Sequence, residues 1–207
     1  MSNIDLFFDT AMCFLWITTY TLVFIGTIKY KYPLISPITQ AIVAPLEFSV
    51  FTLIIVTSST FNYAVVAYAY WSIIEVAIFA IMIKIGFIKR KHIIPYIIVA
   101  LFIFAIMIFM VAIRRQVLLA TYLDTFIGMA FWFGFILKKD YPIKAFTIAV
   151  FISKFLADIF AAIVYFGDGS YWINILSVLL PVLDFMFVAV YIIRKSVELP
   201  TCQKSKS

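Results

Sequence analysis

Seven stretches of about 20 apolar residues follow one another along this chain, each the length a helix needs at 1.5 Å per residue to cross about 30 Å of hydrocarbon. They run roughly over 7 to 28, 35 to 57, 61 to 87, 93 to 113, 117 to 137, 143 to 166 and 172 to 193. Backbone polar groups in lipid must be satisfied internally, and a helix does so within a single segment. The pattern therefore predicts an all-α fold: a polytopic seven-transmembrane helix bundle in one domain over residues 1–195, with a short basic tail over 196–207. With 66% hydrophobic and 13% charged residues and a mean hydropathy of +1.13, the chain lies far from soluble domains of its length. The short connections predict that helices adjacent in sequence are neighbours in space.

The basic residues alternate with the stretches, as cytoplasmic loops require. Lys29 and Lys31 follow the first stretch, Lys89, Arg90 and Lys91 the third, Lys138, Lys139 and Lys144 the fifth, and Arg194, Lys195, Lys204 and Lys206 the last. The alternate connections "TSSTFN" and "FGDGSYW" carry none, and only Arg114 and Arg115 break the rule. The amino terminus is expected outside and the carboxyl terminus in the cytoplasm. The net charge of +6 then marks topology and implies no nucleic acid partner. Asp5 and Asp9, with no Lys or Arg before the first stretch, argue against a cleaved signal peptide. A multi-pass protein of a bacterial inner membrane or the endoplasmic reticulum is expected. Tyr30, Tyr32, Tyr96, Tyr141, Tyr171 and Trp172 fall at the expected interfaces, where amphipathic rings anchor helices.

"SVLLPVLDFMFVAV", from Ser177 to Val190, holds one carboxylate near its middle, Asp184. A charge at the bilayer centre costs about 3 kcal/mol on insertion scales, so its presence there points to a task. Glu47, Glu75, Asp124, Lys154 and Asp158 are likewise interior. Helical rise places all six charged residues within about 10 Å of depth, on five helices. Single intramembrane acids serve as interhelical hydrogen-bond partners, but six charged groups in one layer read as one polar chamber. Lys154 and Asp158, four apart on a helix face, are expected to pair, leaving the remaining acids without a buried base. A carboxyl group in apolar surroundings favours its neutral form, so such acids would hold protons inside an oily cavity. Trp16, Tyr20, Trp71 and Trp132 fall at chamber depth, and aromatic faces attract cations. In so aromatic a chain ordinary packing accounts for most such rings, and Trp71, one turn from Glu75, is the candidate that stands out.

Other chemistries lack their residues. No two acids stand closer than four positions, which leaves no magnesium-binding cluster, and the single His92 with Cys13 and Cys202 at different depths supports neither a zinc or haem site nor a disulfide. There is no glycine-rich phosphate loop, and residues 172–193 contain no lysine for a retinal Schiff base. "WSIIEVAIFAIMIK" and "PVLDFMFVAVYIIRK" each place an acid about ten residues before a basic end, a weak sign of three helices, a linking fourth and three more.

Several short motifs carry a resemblance. "LWITTY" (Leu15 to Tyr20), Glu47 within "APLEFSVFTLIIV", "IK" at Ile83 and Lys84, "SKFL" (Ser153 to Leu156), and Asp184 followed by Tyr191 and Arg194 resemble, over most of the chain, the seven-helix integral-membrane terpene cyclases of fungal meroterpenoid pathways. Leu46 stands where that family has tryptophan, and Glu75 where it has asparagine. The resemblance implies a distant member that protonates an epoxide or alkene of a lipophilic isoprenoid or meroterpenoid substrate and starts carbocation cyclisation. It implies Asp184 and Glu47 as the catalytic pair. Trp71, Glu75, Tyr20, Trp16, Asp124 and Asp158 are candidates to bind substrate or shield the cation, with no metal or other cofactor required. The alternative from another class is a small proton-coupled transporter or ligand-binding membrane protein that uses the same acids as a relay.

Overall fold

The computed structural model describes residues 3–57, 63–110, 117–138, 141, 147–167 and 171–198. Among them are seven helices and no strand: α1 (Asn3–Tyr30), α2 (Pro37–Thr57), α3 (Tyr63–Lys84), α4 (Arg90–Ile108), α5 (Val117–Ile136), α6 (Ile148–Tyr165) and α7 (Tyr171–Glu198). Six of them, α1 and α3 to α7, are long and apolar enough to cross a membrane, consistent with a multi-pass membrane protein.

The ends of the helices have local causes. α3 stops three residues short of the expected position because Gly86, at φ +76°, closes it. The Phe87 N–H donates to the Met82 carbonyl and the Gly86 N–H to the Ile83 carbonyl, the paired bonds of a glycine-terminated helix. α6 begins at Ile148 after an extended Thr147, while the residues expected to open it, 143–146, lie outside the described ones. Gly167, at φ +90°, follows two residues after the end of α6, and its N–H donates to the Asn174 Oδ1.

Packing does not follow sequence order. The contacts run α1 to α3, α3 to α2, α2 to α5, α5 to α7, α7 to α6 and α6 back to α1, which closes a ring of six helices. α4 packs against α2 from outside this ring, and Met107 is the residue it buries. The expectation that sequential helices are neighbours holds for α2 with α3 and α6 with α7, but not as a rule. A helix that is apolar all round can bury any face, so small and polar residues choose the partners. The ring is also a repeat: α1, α3, α2 are followed by α5, α7, α6, so each half contributes three helices in the same order. The expected division into three helices, a linker and three more matches this order.

Polar contacts fix the ring. Thr19 Oγ1 and Ser153 Oγ lie 2.8 Å apart between α1 and α6, and Tyr165 donates to Asp9 Oδ1 at 2.8 Å near one end of the same pair. Thr39 on α2 donates to the Gly128 carbonyl on α5 at 3.0 Å. At the other end Trp132 Nε1 and the Tyr141 hydroxyl both donate to the Leu34 carbonyl at 2.8 Å. Arg194 reaches from α7 to the carbonyls of Ile136, Lys138 and Tyr141, capping the carboxyl end of α5. Tyr141, expected as an interfacial anchor, is instead 2% exposed and packs on Tyr32 and Phe135, whereas Tyr171 and Trp172 are exposed.

Candidate functional site

The ring encloses a cavity of about 550 Å³. All six ring helices line it and α4 does not. The wall runs from Tyr165 and Gly167 at the end of α6 to Ile35 just before α2, so it follows much of the bundle's length. α5 presents Leu118, Tyr122, Thr125, Met129 and Trp132, one residue per turn of a single face.

Of the charged residues singled out by the sequence, Glu47, Lys154 and Asp158 line the cavity, as do Trp16, Tyr20 and Trp71. Glu75, Asp124 and Asp184 are buried but do not form the wall. Glu47 stands on α2 within electrostatic reach of Glu75 on α3 and Asp124 on α5. Neither oxygen of Asp124 has a hydrogen-bond partner among the described residues, nor does Glu47 Oε2, while the Glu75 carboxyl has the Tyr20 hydroxyl beside it. Burying a carboxyl group without a full set of hydrogen bonds is costly, so three such groups gathered on neighbouring helices are an unusual arrangement. This side of the site gathers carboxyl groups from three helices.

The opposite side is an ion cluster. Lys154 Nζ lies 2.7 Å from Asp158 Oδ2 on the same helix, 2.7 Å from Asp184 Oδ1 and 3.0 Å from Asp184 Oδ2 on α7. The expected pairing of Lys154 with Asp158 is thus present, and the lysine also takes Asp184, which the sequence left without a base. The ammonium stands 4.7 Å from the centre of the Trp16 ring, which stacks on Tyr20 at 5.7 Å. Asp184 is connected to the cavity through Lys154, while Glu47 faces it directly.

Leu46, where the resembling family has tryptophan, is fully buried with Val50, Met107 and Ala120, on the side of α2 that meets α4. One residue along a helix turns the side chain by about 100°, so this departure lies off the cavity wall. Residues that sequence reasoning missed include Tyr122, Thr39 and the Thr19 and Ser153 pair. The spacing of 118, 122, 125, 129 and 132 was the available signal for Tyr122. Among the described residues no group of His, Cys, Asp and Glu side chains has the geometry of a metal site.

No protein-family model, no curated protein and no solved structure matches this chain.

Proposed function

We propose that this chain is a membrane-embedded terpene cyclase that protonates an epoxide or alkene on a lipophilic prenyl chain. The observation that carries the reading is Glu47: a carboxyl group 8% exposed, with Oε2 unbonded, on the wall of an aromatic cavity whose volume suits a small lipophilic molecule. Glu47 gives its proton to the epoxide oxygen as the carbon–oxygen bond opens. An alkene of the same chain attacks the cationic carbon, the positive charge moves along the folding chain, and loss of a proton to the Glu47 carboxylate ends the reaction. Proton count and charge are restored in each turnover. The faces of Trp16, Tyr20, Trp71 and Trp132 shelter the cation from water.

In this geometry Glu47 is the donor, and Asp184 acts through Lys154 as a positioning residue. The short motifs shared with the fungal cyclases support the same pair. α2, 21 residues long and held within the ring, completes seven spans, with the amino terminus outside and the carboxyl terminus cytoplasmic. The test is product formation from an epoxidised prenyl substrate in detergent micelles. Glu47→Gln is expected to abolish turnover, since an amide cannot protonate an epoxide, and Asp184→Asn to reduce it. Undiminished turnover in Glu47→Gln would remove the mechanism.

One observation favours a second reading, a proton-coupled transporter: two like-ordered three-helix halves flank buried acids, as in transporters built from parallel repeats. That reading requires uptake driven by a proton gradient in proteoliposomes and no covalent change in the solute.

A further inference from the structure

The second half of the ring shows how this bundle holds an ammonium group. Lys154 Nζ lies 2.7 Å from Asp158 Oδ2 and 2.7 Å from Asp184 Oδ1, with the centre of the Trp16 ring at 4.7 Å. The first half repeats the helix order, so α2 and α3 stand where the second half has α6 and α7. Glu47 lies about three turns before the end of α2, and Lys154 about three turns before the end of α6. Glu75 on α3 and Asp184 on α7 each lie roughly three to four turns past the start of their helix. Glu47 and Glu75 therefore hold the places of Lys154 and Asp184, and where the second half has a base the first has another acid.

The parts that surround the Lys154 ammonium recur on this wall without one. Glu47 is 8% exposed and faces the cavity with Oε2 unbonded, and Glu75 and Asp124, buried off the wall, are within its electrostatic reach. Tyr20, Tyr68 and Trp71 line the cavity, with the Tyr20 hydroxyl beside the Glu75 carboxyl and Tyr68 edge to face with Trp71 at 4.9 Å. Lys154 is the one lysine or arginine on the cavity wall among the described residues, and Asp158 and Asp184 already hold it. A buried carboxylate without a counter-charge is costly, and aromatic faces attract cations. A cation that balances Glu47 in this cavity comes from a ligand.

We propose that the cavity is a binding site for a lipophilic amine, whose ammonium pairs with Glu47 as Lys154 pairs with Asp184 and whose hydrocarbon lies against Tyr20, Tyr68 and Trp71. An amine that arrives uncharged through lipid takes the proton of Glu47: the O–H bond breaks as the N–H bond forms, and the ammonium stays against the carboxylate. The site goes beyond the cyclase reading, since it needs neither an epoxide nor a ring closure.

Trp16, Trp71 and Trp132 are three of the four tryptophans, and all line the cavity, so tryptophan fluorescence reports its occupancy. In detergent micelles, wild type, Glu47→Gln and Asp158→Asn are titrated with two probes of one shape: 1-aminoadamantane, an ammonium in neutral water, and 1-adamantanol. Wild type is expected to bind the amine about tenfold more tightly, the smaller end of what a hydrogen bond to a charged group is worth. Glu47→Gln should bind both probes alike with unchanged affinity for the alcohol, and Asp158→Asn, which alters the opposite wall, should keep the amine preference. In wild type the amine should also slow labelling of Glu47 by dicyclohexylcarbodiimide, read by mass spectrometry, while the alcohol at the same concentration should not. No amine preference in wild type, a preference that survives in Glu47→Gln or is lost in Asp158→Asn, or equal protection by both probes would overturn the proposal. Cyclised product without an amine preference would remove this site and keep the cyclase, and an amine preference without cyclised product would do the reverse.

Discussion

Lys154 on α6 and Asp184 on α7 meet at 2.7 Å, Nζ to Oδ1, with side chains 2% and 1% exposed. The same ammonium holds Asp158 at 2.7 Å, so one buried base is shared by two buried acids. The Lys154–Asp184 pair joins α6 to α7, and Asp158 gives the same ammonium a second counter-charge from its own helix.

Removing the base should therefore do more harm than removing either acid. Lys154→Met leaves two carboxylates in a dry site without a counterion, and is expected to destabilise the protein by about 3–5 kcal/mol. Adding Asp184→Asn to Lys154→Met should recover part of that loss, whereas independent sites would add their effects. Thermal unfolding in detergent measures all three. A Lys154→Met protein as stable as wild type would show that the cluster does not fasten these helices.

Glu75 predicts the opposite sign. It is fully buried, with the Tyr20 hydroxyl as its hydrogen-bonding neighbour and no cation beside it among the described residues. Glu75→Met removes a buried carboxyl whose desolvation the Tyr20 hydroxyl offsets only in part, and fills its space with an apolar chain of similar length, so stability should stay level or rise by about 1–3 kcal/mol. Turnover should fall, because Glu75 is an electrostatic neighbour of Glu47, the proposed donor. A gain in stability with a loss of activity is the pattern of a side chain kept for function. Should Glu75→Met instead unfold at lower temperature with activity per folded molecule intact, the carboxyl is a structural one.

How far the sequence reaches depends on which force sets each feature. The all-α class and the rough extent of the long apolar helices were legible because lipid thickness sets the length of an apolar segment, and Gly86 stops α3 early by a purely local device. The order of helices around the ring was not, since hydrocarbon faces are interchangeable until contacts such as Thr39 with the Gly128 carbonyl choose among them. The place of α4 outside the ring was nevertheless foreshadowed: past His92 its sequence carries no Asp, Glu, Lys or Arg, unlike the five helices with interior charges. At the site, burial of the acids followed from their cost in lipid, but their partners did not. Asp184 is 30 residues from Lys154, and nothing in local spacing joins them. Tyr122 was hidden because a tyrosine in an aromatic helix carries no charge to mark it.

Gly128 on α5 faces Val43 and Thr39 on α2 with no room for a side chain. A Cβ on Gly128 would lie 2.5 Å from Val43 Cγ2 and 3.5 Å from Thr39 Cγ2, and the first distance is far inside van der Waals contact. Val43 is β-branched and short, so it cannot swing away as a long side chain would. Gly128→Ala must push the two helices apart, with an expected loss of about 1–3 kcal/mol and weakening of the bond from Thr39 to the Gly128 carbonyl. Gly128 and Val43 both line the cavity, so the same shift displaces Glu47, one turn from Val43, relative to the α5 wall. Turnover should fall along with stability. Val43→Ala in the Gly128→Ala background removes the offending methyl and should restore both. If the double variant stays as unstable as Gly128→Ala alone, the clash lies elsewhere and the α2–α5 seam does not set the width of the cavity.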